Sequence, residues 1–314
     1  MVIPVISIIC NTFNHEKYIR DALESFVGQE VSVPFEVLVH DDASTDSTAD
    51  IIREFEAKYP EIIKPIYQKE NQYSQGVKIT PQIQLPRAQG KYVAFCEGDD
   101  YWTDAKKLQT QFDCMEAHPE YSGCCHAYEM VSRDKRLLQD KRLTSSDGVV
   151  PMESLIGDQL KAPHFATLFL RREVLQGLGG VFLGKSCNDM VIRLYCARQS
   201  PLYYLNRTMS AYRRFTEGSW TMRVGGSQAA LAEGHKDTIS FLRNYDEITD
   251  GKYADEIRQC IDWREFEIAL IQGDFRTAKR KHAYHGASLK RKIYIALGCL
   301  MPKTVQWMRK KSDS

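Results

Sequence analysis

Two adjacent carboxylates, Asp99 and Asp100, follow a strand-length apolar run, Tyr92-Val93-Ala94-Phe95-Cys96, with only Glu97 and Gly98 between. Like charges side by side repel, and burying either one unpaired is expensive. A hard divalent cation, Mg2+ or Mn2+, resolves that conflict because it takes oxygen ligands and neutralises the acids. The plainer reading is a polar turn before a helix that starts near Thr103 or Asp104. Two earlier apolar runs end in the same manner, one at Asn11-Thr12 and one at Asp41-Asp42. Polar groups at the carboxyl ends of buried strands are where open α/β sheets place their ligands.

The elements that must position these groups appear as an alternation of two periods. Residues 5–10, 35–40, 63–67 and 92–96 are strand-like. Helical patterns separate them: 16–27, with Tyr18, Ile19, Leu23 and Phe26 on one face; 47–58, with Ile51, Ile52 and Phe55; and 79–88. Strands alternating with short helices imply crossover units, hence a mostly parallel sheet with helices on both faces. A helix at 106–118 and a strand at 121–128 follow. Residues 132–163 are charged and irregular, and read as an insertion or a flexible face over the cleft. Beyond them lie a short strand at 167–170, a brief helix opening at Arg172, a helix at 189–198 and a strand at 202–205. From Gln228 onward the pattern is helical, over 230–245, 253–271, 275–285 and 289–300.

The chain has 314 residues, enough for one large α/β domain with additions or for two modest domains. Its 43% hydrophobic and 26% charged content is ordinary for a soluble enzyme. With 42 basic and 41 acidic residues, net charge points to no polyanionic partner. The nine cysteines are scattered, without a Cys-x-x-Cys pair, as expected of free thiols in a reducing, cytoplasmic setting. The N-terminus enters a strand directly, with no signal-like segment, and no apolar run reaches the ~18 residues of a membrane span.

The segments Val5-Ile6-Ser7-Ile8-Ile9-Cys10-Asn11-Thr12-Phe13-Asn14, Val39-His40-Asp41-Asp42-Ala43-Ser44-Thr45-Asp46 and Glu97-Gly98-Asp99-Asp100 together resemble the family 2 glycosyltransferases. The resemblance covers residues 1–221 and implies a GT-A catalytic domain with its acceptor side from about residue 120. Residues 222–314 then form a helical extension. It also implies an inverting enzyme that uses a nucleotide-sugar donor, a divalent metal and a glycan or lipid-linked saccharide acceptor. On that pattern Thr12, Phe13 and Asn14 cradle the donor base, and Asp42 accepts its ring N–H. Asp100 is the direct metal ligand, and Asp99 touches the ribose or the metal's water shell. Glu97 stands where many relatives carry Asp. Asp41 and the residues from Ser44 to Ser47 are also simple helix-capping candidates.

An inverting displacement needs a general base for the acceptor hydroxyl. Asp189, after Gly184-Lys185-Ser186-Cys187-Asn188, matches the family's position for it, though an N-cap aspartate fits the local pattern as well. Many relatives have Glu where this chain has Asn188. The run Tyr212-Arg213-Arg214-Phe215-Thr216-Glu217-Gly218-Ser219-Trp220 resembles a flexible flap over the donor, with Arg213 or Arg214 holding the diphosphate and Trp220 on the acceptor side. Relatives often carry a His in that flap, and this chain has none there. His164 falls in the acceptor-contacting region. A sugar-phosphate nucleotidyltransferase would need a glycine-rich loop after the first strand, which Asn11-Thr12-Phe13-Asn14-His15 is not. A non-catalytic glycan- or nucleotide-binding scaffold would not need the acids at Asp42, Asp99, Asp100 and Asp189.

The C-terminal tail is basic, with Lys279-Arg280-Lys281, Lys290-Arg291-Lys292 and Arg309-Lys310-Lys311. A basic amphipathic segment suits an anionic membrane surface; a terminal helix packed on the domain with a solvated basic face is the alternative. No aromatic platform for nucleic acid accompanies it. The expected setting is synthesis of a cell-envelope polysaccharide at the inner face of the membrane.

Overall fold

The apolar runs of the N-terminal half become buried strands in the computed structural model of the chain, which describes residues 3–157, 162–178, 188–216 and 227–301. Strands β1 (Ile6–Thr12), β2 (Phe35–Asp41), β3 (Ile63–Tyr67) and β4 (Tyr92–Phe95) are mutually parallel, in the order β3-β2-β1-β4. Ile8 pairs with Val37 on one side and Ala94 on the other, so the strands' carboxyl ends reach one edge in step. Helices α1 (Ile19–Val27) and α2 (Thr48–Lys58) cross over between them. α1 buries Ile19, Ala22, Leu23 and Phe26, the spacing of one helical face. The stretch before β4 is a π-helical turn, Thr80–Gln84, running into α3 (Leu85–Arg87), where a regular helix is expected from the sequence. Pro81 and Pro86 cannot donate to a regular ladder there.

Past β4 the sheet becomes mixed. It continues through β9 (Phe169–Arg171), antiparallel to both neighbours, to β6 (Gly123–Ser132), β10 (Leu202–Arg214) and β5 (Tyr101–Trp102). α4 (Lys107–Ala117) packs against β6, and α6 (Asn188–Gln199) leads into β10. Two expectations are corrected here. The stretch expected to be irregular holds β7 (Leu137–Lys141), β8 (Gly148–Val149) and α5 (Met152–Ile156). β7 is exposed nearly throughout and has no alternation to betray it; its backbone pairing with β6 is what makes it a strand. The strand expected at 202–205 runs on to Arg214, because the polar Asn206-Arg207-Thr208 sits at a register irregularity against β6 and does not end the pairing.

Chain contacts divide the molecule into a sheet unit that ends at Arg223 and a second unit formed chiefly by residues from Val224 on. The second holds α7 (Gln228–Ile248), α8 (Ala254–Gln272), α9 (Phe275–Arg280), α10 (Ala283–Gly286) and α11 (Leu289–Leu300). Phe266, Ala269, Leu270, Phe275, Ala278 and Ile295 form its core. Gly273 ends α8 in the left-handed conformation at φ 73°, and Asp274 then caps α9 by accepting from the Thr277 N–H at 3.0 Å. Among the described residues no helix is long and apolar enough to cross a membrane.

Candidate active site

The shared edge of β1, β2 and β4 brings three polar strand ends into contact. The Gly98 N–H donates to the Asn11 carbonyl at 2.9 Å, and the Asp42 N–H donates to the Thr12 carbonyl at 3.0 Å. Asn11 Nδ2 donates to Glu97 Oε1 at 3.3 Å. Gly98 is obligatory at this crossing: a Cβ would stand 2.7 Å from Thr12 Oγ1 and 2.8 Å from Thr12 Cβ.

The loop after β2 is tied to the end of β1. Asn14, at φ 56°, donates its N–H to Ser44 Oγ at 2.9 Å and accepts from the Thr45 N–H at 2.8 Å. Ser44 Oγ in turn donates to Asp41 at 2.5 Å. Capping of α2 therefore falls on Asp46, which accepts from the Thr48 N–H at 3.0 Å, while Ser44 braces the loop. Asp42 is buried and faces the following loop: its two carboxylate oxygens accept from the N–H groups of Gln72 at 2.7 Å and Tyr73 at 3.1 Å. Phe13 is half-buried beside this loop's anchor residue Asn14.

The acid pair follows β4 and is held from β10. Asp100 is buried, and its Oδ1 accepts from the backbone N–H of Arg213 at 2.8 Å. Asp99 Oδ2 accepts from Thr216 Oγ1 at 2.8 Å. Burial, then the Asp99 charge, push the Asp100 carboxyl well above the usual range. Burial likewise pushes Glu97 up to about 8, with the charges of Asp99 and Asp189 adding to it. The Arg213 side chain is fully buried between the rings of Tyr18 and Tyr101, at 5.1 and 4.8 Å. It donates to the Asp99 carbonyl at 2.7 Å and to Asp21 at 2.5 Å. Arg213, expected from the sequence in a diphosphate-holding flap, is here a strand residue that points inward and bonds to Asp99 and Asp21. Its neighbour Arg214 points the other way, as strand alternation requires, and is only half-buried against Met130 and Phe215.

His164 lies much closer to the acids than its place in the sequence suggests. Its Nε2 is 3.9 Å from Asp100 Oδ2, and its ring stacks on Tyr212 at 4.2 Å. Nδ1 accepts from the Ala166 N–H at 3.3 Å, so the neutral ring carries its proton on Nε2, towards Asp100. Burial pushes the His164 pKa down to about 3, which keeps the ring neutral.

Asp189 stands in the first turn of α6 and is exposed, yet enough protein surrounds it to raise its pKa, with Arg193 one turn on opposing the shift. The Asp189 charge adds to the burial and the Asp99 charge that raise Glu97. Trp220 and residues 184–187 lie outside the described residues. Sequence reading missed Asp21, which looked like an ordinary polar residue of α1, and Tyr101, which looked like part of the turn after the acids.

Among the described residues no three His, Cys, Asp or Glu side chains form a ready cage for a cation. Asp99 and Asp100 nonetheless fit one, because Mg2+ or Mn2+ in such sites is held by one or two carboxylates and completes its shell with phosphate oxygens and water. Burial first, and then the Asp99 charge, raise both Asp100 and Glu97, and a cation held there would relieve both. His164 is a poor ligand as oriented, since the nitrogen nearest the acids bears the proton.

A mixed sheet with its acids at this edge is the GT-A arrangement of nucleotide-sugar-dependent transferases. The chain belongs to glycosyl transferase family 2, whose family model matches residues 7–179. An uncharacterized Mycobacterium tuberculosis protein, Rv1520, is 43% identical over 221 residues, covering 68% of this chain and 60% of that protein. The chain thus matches about 60% of the length of that relative. The Escherichia coli UDP-Glc:alpha-D-GlcNAc-diphosphoundecaprenol beta-1,3-glucosyltransferase WfaP is 31% identical over 124 residues, 40% of this chain and 46% of WfaP. Two solved structures share the fold at 17% identity and a TM-score of 0.57. They are S. aureus TarS 1-349 in complex with UDP-GlcNAc, covering 98% of this chain and 92% of that one, and the Pyrobaculum calidifontis mannosyltransferase PcManGT with GDP-Man and Mn2+, covering 99% and 84%.

Proposed function

We propose that this protein transfers a sugar with inversion from a nucleotide-sugar donor, a UDP-sugar, to a hydroxyl of a glycan or lipid-linked saccharide during cell-envelope polysaccharide synthesis. The observation that carries this reading is the acid pair Asp99-Asp100, fixed at a strand end by Arg213. The names of WfaP and TarS's bound UDP-GlcNAc support a UDP-linked donor, and PcManGT's bound Mn2+ supports a divalent ion. A bound Mn2+ or Mg2+ would neutralise the charge that gathers on the departing diphosphate.

The chain's own residues do the rest. Thr12, Phe13, Asn14 and Asp42 hold the nucleoside, and Asp42 also anchors the loop at Gln72 and Tyr73 that borders it. Asp99 and Asp100 receive the cation. Asp189 takes the proton of the acceptor hydroxyl as its oxygen bonds to the anomeric carbon; the carbon–oxygen bond to the diphosphate breaks and its electron pair leaves with the phosphate. A carboxyl whose pKa is raised is a better base for that step than an ordinary one. Arg214, on the less buried side of β10, is the diphosphate candidate in place of Arg213.

The test is thermal stabilisation by UDP-, GDP- and dTDP-sugars with Mn2+, followed by transfer assays on the donor that binds. UDP-sugars should stabilise the protein, and Asp189→Asn should keep that stabilisation while turnover falls by about a thousandfold. Near-normal turnover in Asp189→Asn rejects it as the base. Absence of stabilisation by every donor rejects the reading as a whole, and binding with neither transfer nor hydrolysis identifies a scaffold.

A further inference from the structure

Helix α11 keeps an apolar stripe in water. Leu289, Ile293, Leu297 and Leu300 are 74, 52, 37 and 79% exposed, and they recur at the spacing of one helical face. The opposite face is the packed one: Ile295 is buried in the helical unit's core, and Gly298 lies so close to Phe275 that a Cβ would meet its ring at 2.3 Å. The helix is therefore held by one side, and among the described residues the other is left exposed. At about 100° per residue, Lys290 and Lys292 fall on the two flanks of the exposed stripe, Lys292 also donating to the His285 carbonyl at 2.7 Å. Arg291 points away from it and is spent on Glu267 at 2.7 Å.

The sequence that carries this stripe has charge of one sign, although Glu265 and Glu267 of α8 pair with Lys281 and Arg291. From Arg276 to Met301 the chain contains Lys279, Arg280, Lys281, Lys290, Arg291 and Lys292 besides Arg276, and no Asp or Glu. The sequence continues with Lys303, Arg309, Lys310 and Lys311 against Asp313. A second copy of the same helix would bring lysines against lysines, whereas an anionic surface satisfies the flanks and the stripe together.

We infer that α11 is a docking helix for an anionic lipid bilayer, lying in the interface plane with Leu289, Ile293, Leu297 and Leu300 among the acyl chains and Lys290 and Lys292 at the headgroups. This deepens the proposed envelope setting, because it would hold the sheet unit where a lipid-linked acceptor is made. It is tested without any donor or turnover, so it stands or falls apart from the catalytic reading.

The experiment is co-sedimentation of the full chain with vesicles of phosphatidylcholine alone and of phosphatidylcholine mixed with phosphatidylglycerol. Binding is expected to the mixed vesicles only, and to weaken as salt is raised. Ile293→Ser with Leu297→Ser, and separately Lys290→Gln with Lys292→Gln, should each lower partitioning by about tenfold or more while the melting temperature stays near that of the parent. All these positions face solvent or the flank, so neither pair removes core packing, and the lysine pair gives up the Lys292 bond to the His285 carbonyl. No binding to mixed vesicles, equal binding to neutral ones, or unchanged binding in both double variants overturns the inference. So does a concentration-dependent dimer that the Ile293→Ser, Leu297→Ser variant abolishes, since the stripe would then be a contact between copies.

Discussion

The backbone N–H of Arg213 donates to Asp100 Oδ1 at 2.8 Å, and the guanidinium of the same residue donates to the Asp99 carbonyl at 2.7 Å. One residue of β10 thus grips both members of the acid pair, and its far end is anchored on α1 through Asp21. The arrangement is a brace between the sheet's two halves. Backbone geometry fixes Asp100, while the side chain fixes the turn that carries it.

Removing the brace leaves the Asp99 carbonyl without its partner and Asp21 paired, among the described residues, with Lys135 alone. Arg213→Met is expected to cost about 2–4 kcal/mol in urea unfolding, towards the lower end because Asp21 is partly exposed and also pairs with Lys135 at 2.7 Å. Adding Asp21→Asn should restore part of the loss, since that carboxylate is then neutral. An unchanged unfolding midpoint in Arg213→Met would show that the brace carries no weight.

Gly98→Ala places a methyl against Thr12, with contacts of 2.7 and 2.8 Å that the two strand ends must open to relieve. We expect a loss of about 1–3 kcal/mol in stability and weaker nucleotide binding, because Thr12 and Asp99 both move. Calorimetric titration with UDP checks the second part; full-strength binding would separate the strand crossing from the donor site.

His164 presents a neutral Nε2–H towards Asp100 and stacks on Tyr212. His164→Phe keeps an aromatic stack and removes the donor, whereas His164→Gln keeps an N–H of comparable reach. Turnover should fall by about a hundredfold in His164→Phe and recover in part in His164→Gln, with the donor KM little changed. Equal losses in both variants would mean that packing, and not the N–H, is what the site requires.

Lys107 is fully buried, with its ammonium 4.0 Å over the Trp102 ring and donating to Gln111 at 2.6 Å. Burial lowers its pKa to about 7, below that of the unfolded chain. The unfolded state therefore binds more protons above that pH, and this group's contribution to stability rises with pH from about 7 until the unfolded lysine itself titrates. Lys107→Met should abolish that rise, visible as the difference between the two proteins' unfolding free energies at neutral and mildly alkaline pH. A difference that does not vary with pH would place the proton elsewhere.

The first half of the fold was legible because each strand there is an apolar run closed by a polar end, and each helix shows one apolar face. Local order was enough to bring Asn11, Asp42, Glu97 and the Asp99-Asp100 pair to one edge, since parallel strands joined by crossovers must end together. Residue types alone also marked α11 as basic and amphipathic.

What tertiary structure decided is who touches whom across the sheet. β7 exists because β6 offers it an edge, and β10 outlasts its apolar run because pairing continues beyond the irregularity. Arg213 lies 113 residues from Asp100 in the chain and 192 from Asp21, so no periodicity could have turned it from a surface flap into a buried brace. The same holds for His164 beside Asp100. Propensity and pattern act over a few residues, whereas the partners that satisfy a buried charge are chosen by packing, which only the folded chain provides.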